Sequence, residues 1–198
     1  MTERVYLFKG FERFWHWAQA LLVMTLMFTG FEIHGTYRAL GFARAVDVHT
    51  IGAWSLVGLW VFAVFWHLTT GEWSHYIPTV DKLMAMVRYY SSGIFRHEPH
   101  PYRPSAASKH NPLQRLTYLA VLVLVSPLIW ISGWLYLFYG DWSAWGLGAL
   151  SLQWVATAHA AGAFLMLAFF ITHVYMVTTG HTFFAHTRAM LTGWEEVH

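Results

Sequence analysis

The sequence contains no cysteine. That absence excludes disulfide bonds, thiolate metal sites, iron–sulfur clusters and the C-x-x-C-H attachment of covalent haem. Charged residues are scarce too, at 11% of 198 residues, while 57% of the residues are hydrophobic. A water-soluble globule of this length needs more polar surface than such a chain can supply. The composition therefore indicates a membrane protein whose solvent is largely lipid.

Aromatic residues, by contrast, are abundant, at 19% of the chain with 12 Trp. Such rings anchor helices at membrane interfaces and also line large flat ligands. Four apolar runs are long enough to cross a hydrocarbon core, which takes about 20 helical residues. We predict an all-α membrane protein, a four-transmembrane-helix bundle built as one domain over residues 1–198, with spans at 14–31, 48–68, 116–138 and 154–177.

The segments outside these runs are short, apart from a polar connection at 71–111. The first run contains a histidine and no small-residue cleavage site follows it, so we expect a retained span and not a signal peptide. Within the long connection, Thr79 is predicted to cap a short amphipathic helix that lies on the membrane surface. Its apolar residues are Leu83, Met84, Met86, Val87 and Tyr90.

The distribution of Lys and Arg predicts the orientation. With four spans, both termini and the middle connection lie on one side, which carries ten of the 12 cationic residues. The other side carries Arg38 and Arg44. By the positive-inside rule, the termini and the middle connection are cytoplasmic.

Five of the 13 histidines lie in or at the ends of the apolar runs: His16, His49, His67, His159 and His173. Ionisable residues inside a membrane are costly and usually functional. His159 and His173 are 14 residues apart, which gives about 21 Å of rise and about four turns, so both lie on one helix face at opposite depths. His49 matches the depth of His159, and His16 that of His173. The pattern predicts two b haems, each held by two imidazoles.

Competing interpretations exist for each residue. A single intramembrane histidine also serves as an interhelical hydrogen-bonding group. His67 follows His49 by about five turns on the same face. It is a candidate to replace His16 as a ligand, to donate to a haem propionate or a quinone, or to cap its helix. Gly52 and the small residues at 160–163 give a porphyrin room beside its ligands, although small residues also pack helices together in any membrane bundle.

Four sequence elements together resemble a known family. They are Arg-Phe-Trp-His-Trp at 13–17, His49-x-x-Gly52, Asn-Pro-Leu-Gln-Arg-Leu at 111–116, and the histidine pair in the last span. This combination resembles the di-haem cytochrome b subunits of respiratory formate dehydrogenase. The broader group includes the cytochrome b subunits of thiosulfate reductase and nickel–iron hydrogenase and the bacterial cytochrome b561 proteins.

The resemblance implies a bacterial cytoplasmic-membrane subunit with no nucleic-acid partner. Its outer haem would exchange electrons with an extracytoplasmic iron–sulfur or multihaem subunit that works with a catalytic subunit. Its cytoplasmic haem would serve a menaquinone or ubiquinone site lined by Asn111 and Gln114. Asn111 also suits a helix N-cap before Pro112. Arg13 and Arg115 are candidates to neutralise haem propionates, or they act only as topology signals in solvent.

Two other functions remain open on the sequence alone. One is a stand-alone cytochrome b561, such as a superoxide:quinone oxidoreductase, which needs no partner subunit. The other is a histidine-lined transporter for divalent metals, which the lack of intramembrane carboxylates beside the histidines disfavours.

Overall fold

The computed structural model describes residues 3–96, 98–105 and 108–197. Helices account for most of the chain. They are α1 (Gly10–Ile33), α2 (Phe42–Thr70), α3 (Leu83–Ser91), α4 (Pro112–Ala120), α5 (Ser126–Leu137), α6 (Leu152–Val177) and α7 (Ala185–Thr192). Short 3₁₀ turns occupy Glu72–Tyr76, Gly93–Arg96 and Tyr139–Asp141, and two strands, β1 (Glu3–Tyr6) and β2 (Trp194–Val197), lie near the ends of the chain.

Three of the described helical segments are long and apolar enough to cross a membrane: Phe42–Thr70, Pro112–Leu137 and Leu152–Val177. Side chains such as Ile51 and Val61, each 67% exposed, have the apolar surface that contact with lipid requires. The prediction of a multi-pass membrane protein is thus confirmed for three spans. The predicted span at 14–31 lies in α1, which has 24 residues but is less apolar than α2 and α6. Its crossing stays a prediction.

The segment Pro112–Leu137 contains a π-helical stretch, Val121–Val125, between α4 and α5. Pro127 explains its position. Proline has no backbone N–H, and its ring clashes with the carbonyl group four residues earlier, which here belongs to Val123. In the π-helical stretch the backbone N–H of Ser126 donates to the carbonyl oxygen of Val121, five residues earlier, so the helix widens just before Pro127 without breaking the span.

The described residues form two compact units, residues 3–115 with 176–197 and residues 116–175. In the first unit, α1 packs along α2. Near the start of α1, Phe11 stacks on Trp66 with ring centroids 4.6 Å apart. Towards its end, Leu26 lies against Gly52, where an added Cβ would come within 3.3 Å of the leucine. The two helices are therefore antiparallel neighbours over most of their length.

A small sheet departs from the all-helical prediction. β1 pairs with β2 in antiparallel register, with Arg4 opposite Glu196 and Tyr6 opposite Trp194. Gly193, which ends α7 with φ +89°, is required here, because a Cβ would lie 2.5 Å from the Tyr6 ring. The sheet places the first and last described segments of the chain side by side.

The predicted surface helix is present as α3, but its predicted cap is wrong. The hydroxyl oxygen of Thr79 accepts a hydrogen bond from the backbone N–H of Asp81, so it closes a turn before the helix begins. The N-cap is Lys82, whose φ is +57°. Met86 is fully buried, whereas Met84 is 75% exposed, so one side of the helix packs against the protein. Its location on the membrane surface stays a prediction.

Candidate functional site

His49 lies in α2, and α1 provides the surroundings of its ring. Nδ1 of His49 is 2.9 Å from the hydroxyl oxygen of Thr29. That hydroxyl also donates to the carbonyl oxygen of Thr25 at 2.8 Å. Gly30 lies beside the same ring, and a Cβ there would be 3.2 Å from Cε1 of His49. The imidazole is thus hydrogen-bonded by one residue of α1 and packed against the bare backbone of the next.

His159 lies in α6, in the second unit, with the same kind of surroundings on α5. Nδ1 of His159 is 3.1 Å from the hydroxyl oxygen of Ser132 and 3.2 Å from the carbonyl oxygen of Ile129. The Ser132 hydroxyl donates to the carbonyl oxygen of Leu128. A Cβ on Gly133 would lie 3.2 Å from Cε1 of His159. A buried hydroxyl followed by glycine therefore frames both histidines.

The other two predicted ligands are His16, near the start of α1, and His173, near the end of α6. His16 is in the second turn of α1, with its ring edge-on to Trp17 at 5.0 Å. His173 is near the end of α6 and stacks on Phe169 at 5.7 Å. The separate depths of His159 and His173 follow from their positions on one continuous helix. The pairing of His49 with His159 and of His16 with His173 stays a prediction.

His67 is buried among aromatic rings at the end of α2. Its ring centroid lies 5.1 Å from Trp15, 5.0 Å from Trp66 and 5.4 Å from Tyr76. Nδ1 is 2.7 Å from the carbonyl oxygen of Ala63 and must therefore carry the hydrogen. Nε2 is buried, and no described residue hydrogen-bonds to it. A neutral ring in this state presents an acceptor, so donation to a propionate or a quinone would require a protonated ring.

Gly52 and Gly162 both serve helix packing. A Cβ at Gly162 would lie 2.6 Å from Cγ1 of Ile129 and 3.5 Å from its backbone nitrogen. Gly52 faces Leu26 in the same way. The structure therefore supports close helix packing, and not an open porphyrin surface, as the role of these two glycines.

Asn111 and Gln114 cap the start of α4 reciprocally. Oδ1 of Asn111 accepts the backbone N–H of Gln114, and Oε1 of Gln114 accepts the backbone N–H of Asn111, both at 2.9 Å. This arrangement is a capping box in which two amide side chains satisfy backbone groups that the helix leaves unpaired. It confirms the predicted cap and uses only the oxygen of each amide. The NH₂ group of each amide is a hydrogen-bond donor of the kind that a quinone carbonyl oxygen can accept from.

The two candidate propionate-binding arginines contact backbone. Nη1 of Arg13 donates to the carbonyl oxygen of Leu191 at the end of α7. Arg115 donates to the carbonyl oxygens of His110 and Ile77 and to the hydroxyl of Ser108. These bonds give Arg115 a role in holding the connection before α4. Contact with a propionate stays a prediction for both arginines.

A buried ionic cluster, which the sequence did not predict, lies in the first unit where α1, the turn after α2 and the entry to α4 meet. Nζ of Lys109 donates to both carboxylate oxygens of Glu12 at 2.9 Å and to Glu72 at 2.6 Å. Lys9 donates to the other oxygen of Glu72, and Nε2 of His75 lies 3.3 Å from that carboxylate. Glu12, Glu72 and Lys109 are each less than a tenth exposed.

Electrostatics in and beside this cluster follow from burial and charge. Burial raises the pKa of Glu72, but hydrogen bonds from Lys109 and Lys9 outweigh it and lower the pKa to about 2. Burial lowers the pKa of His110 to about 3, and the neighbouring His75 and Lys109 act in the same direction. At neutral pH the carboxylate of Glu72 is therefore ionised and the ring of His110 is uncharged.

Comparison with known proteins identifies the family. The family described as prokaryotic cytochrome b561 matches residues 7–193. A putative cytochrome, YdhU, of Escherichia coli K12 is 30% identical over 97% of this chain and 75% of its own length. A probable Ni/Fe-hydrogenase B-type cytochrome subunit of Rhodobacter capsulatus is 24% identical over 86% of this chain and 72% of its own length. No solved structure matches significantly.

The chain belongs to the prokaryotic cytochrome b561 family. Membership confirms the resemblance read from the histidine pattern and gives the protein a b-type cytochrome's role in electron transfer within a membrane. A cytochrome b561 protein carries b-type haem, and the residues present fit that group. His49 and His159 each have a hydrogen-bonded Nδ1 and a glycine that admits the ring, as expected of imidazoles held for axial ligation.

Two residues of this cytochrome's histidine surroundings were missed in the sequence, Thr29 and Ser132. A signal for them exists. A hydroxyl residue followed by glycine occurs near the end of α1 and again in α5, and each pair precedes the histidine near the start of the next long helix. The separations differ, 20 residues from Thr29 to His49 and 27 from Ser132 to His159. A search for repeats of fixed period does not find them.

Proposed function

We propose that this cytochrome holds two b haems and carries electrons across the membrane between an extracytoplasmic redox partner and a quinone. His49 and His159 ligate the outer haem, and His16 and His173 ligate the haem on the cytoplasmic side. The observation that carries the proposal is the matched setting of His49 and His159, each with Nδ1 bonded to a buried hydroxyl. An imidazole fixed in this way offers Nε2 to iron.

Four crossings are part of the proposal. α1 runs beside α2, whose length and apolar character suit a span, and contacts it from Phe11 to Gly30. A helix paired in this way with a transmembrane neighbour is surrounded by the same lipid. Pairing of β1 with β2 brings the two ends of the described chain to one side, as an even number of crossings requires. The excess of cations at that side makes it cytoplasmic.

The quinone site is proposed beside the capping box at the start of α4. Asn111 is only 4% exposed, so its amide is shielded from bulk water. Its NH₂ group and that of Gln114 would orient a quinone carbonyl by hydrogen bonding. Bis-imidazole ligation closes the iron to external ligands, so the haem on this side would pass electrons only to a bound quinone. Proton uptake would occur from the cytoplasm.

Charge movement gives the function its energetic consequence. An electron that travels from the outer haem to the inner one moves negative charge towards a negative interior. For transfer across the whole membrane, this movement costs about 2.3 kcal/mol per electron for each 100 mV of membrane potential. Reduction of quinone by an outer donor therefore works against the membrane potential, and the reverse reaction is driven by it. The relative named as a hydrogenase cytochrome subunit supports a catalytic partner as the outer donor or acceptor. Family membership disfavours the metal transporter.

Two substitutions that replace an amide by a carboxylate test the quinone site. Asn111→Asp and Gln114→Glu keep the capping oxygens but remove the NH₂ donors. In purified protein we expect both haems to remain and the rate of haem reduction by a quinol analogue to fall at least tenfold in each variant. Unchanged rates would exclude the amides from the quinone site. Conversely, complete turnover with superoxide and quinone by the isolated chain would favour the stand-alone cytochrome b561.

A further inference from the structure

The hydroxyl of Thr29 is an acceptor towards His49. A threonine hydroxyl has one hydrogen, and Thr29 donates it to the carbonyl oxygen of Thr25 at 2.8 Å. The contact of 2.9 Å with Nδ1 of His49 therefore uses an oxygen lone pair. Thr29 is fully buried, so water does not replace either bond. With the hydroxyl hydrogen directed at the carbonyl oxygen of Thr25, the hydrogen of the contact with His49 comes from Nδ1 of the ring.

His159 reaches the same state by an independent route. Its Nδ1 lies within hydrogen-bonding distance of the carbonyl oxygen of Ile129, and a carbonyl group only accepts. The Ser132 hydroxyl, which donates to Leu128, is a second acceptor for the same hydrogen. Ser132 is 5% exposed. The α5 surroundings thus fix the His159 tautomer with its hydrogen on Nδ1.

We propose that Thr29 and Ser132 are positioning residues that hold the two outer-haem histidines in the tautomer that binds iron and that lower the reduction potential of that haem. A neutral imidazole with hydrogen on Nδ1 has its lone pair on Nε2, the nitrogen that ligates the iron. An acceptor on Nδ1–H makes the imidazole a stronger base and stabilises ferric iron relative to ferrous iron. Because the haem is part of the proposed function, the inference rests on it.

Glycine at the next position makes this bonding possible. With a Cβ at Gly30 or Gly133, the ring would have a carbon 3.2 Å from Cε1, closer than ordinary van der Waals contact. Each ring would then have to move away from the hydroxyl on the adjacent residue. The hydroxyl residue and the glycine after it therefore position the ring together. Thr29–Gly30 does so in the first unit and Ser132–Gly133 in the second.

The test is a redox titration of the purified holoprotein, followed by low-temperature EPR of its oxidised haems. Thr29→Val removes the hydroxyl at nearly constant volume, Thr29→Ser restores it, and Ser132→Ala is the second loss variant. We expect Thr29→Val to shift one haem to a more positive midpoint potential, and Ser132→Ala to shift the same haem by less, because the carbonyl oxygen of Ile129 still accepts from His159. The double variant should shift it further. Thr29→Ser should retain the parent potential. Loss of the outer haem alone in Thr29→Val, with rescue in Thr29→Ser, would also support the proposal.

Matched controls separate this role from a general loss of packing. Within the described part of the chain, the hydroxyls of Thr25 and Ser55 donate to carbonyl oxygens of their own helices, at Leu21 and Ile51, and to no other residue. Thr25→Val and Ser55→Ala should therefore leave both potentials unchanged. Unaltered potentials and EPR spectra in Thr29→Val and Ser132→Ala, with both haems present, would overturn the inference alone. A parent protein without haem would instead overturn the proposed function.

Discussion

Lys109 donates hydrogen bonds at 2.9 Å to both carboxylate oxygens of Glu12, a residue 97 positions earlier in the chain. The bond ties the entry of α4 to the first turn of α1. Lys109 also bonds to Glu72, so one buried ammonium compensates two buried carboxylates. Asn111 follows two residues later, which places the proposed quinone-binding amide on a segment held by this charge network.

Removal of that ammonium should destabilise the protein. Lys109→Met leaves two carboxylates buried and partly uncompensated, which costs about 3–5 kcal/mol in comparable sites. We expect a clear fall in the temperature at which the protein loses its haem in detergent. Arg4→Met is the control, since it breaks the exposed pair with Glu196 and surface pairs contribute little. Equal effects of the two substitutions would show that the cluster contributes no particular stability.

Acid should destabilise the fold through His110 before it does so through Glu72. The pKa of His110 is lowered from 6.5 to about 3, so between these values the unfolded chain binds a proton that the folded protein does not. Stability therefore falls as pH decreases through that range. For Glu72, with its pKa lowered from 4.5 to about 2, the loss begins only below pH 4.5.

Thermal stability measured between pH 8 and pH 4 checks this order. His110→Phe keeps a ring beside Phe8 and Tyr76 but cannot titrate. We expect its stability to depend less steeply on pH than that of the parent between pH 6.5 and pH 4. An unchanged slope would mean that His110 is not buried as an uncharged ring.

Added methyl groups at the glycines beside His49 and His159 should weaken haem binding. Gly30→Ala and Gly133→Ala each add a methyl group 3.2 Å from a histidine ring. We expect weaker retention of the outer haem, measured as the haem-to-protein ratio after growth with limited haem supply. Gly58→Ala is the matched control in α2, because among the described residues no atom outside the neighbouring backbone of its own helix lies within 4 Å of the added Cβ. Full retention in both test variants would remove the glycines from the haem site.

His67 should not be needed for haem binding. Its Nδ1 is bonded to Ala63 and its ring is enclosed by Trp15, Trp66 and Tyr76. His67→Ala is expected to keep both haems, whereas His16→Ala should lose the inner one. The absorbance spectrum of each purified variant decides the matter. If the opposite pattern appears, His67 is the ligand and His16 is not.

The sequence could predict what depends on composition and local spacing. Length and hydropathy marked the regions of the three spans, and the 14-residue interval placed His159 and His173 at different depths of one helix. Asn111 before Pro112 is a local cap signal, and the structure contains that cap. Each of these features is determined by residues within a few turns of one another.

Features that depend on distant segments were not predictable in this way. β1 and β2 are four residues each, too short for an alternating pattern, and they pair across nearly the whole chain. Glu12, Glu72 and Lys109 are unremarkable one by one and form a cluster only after folding. Thr79 was assigned a cap from residue type alone, but the turn it forms precedes the helix. Contacts between segments far apart in the sequence decided the first two cases, whereas Thr79 forms a local turn with Asp81.

A haem-to-protein ratio with a reduced-minus-oxidised spectrum, taken before and after replacement of His159 by Ala, tests the central claim most directly. Two b haems in the parent and one in the variant are expected, with the remaining haem still reducible by quinol. A parent purified without haem from haem-replete cells, or a variant that keeps both haems, would contradict the account.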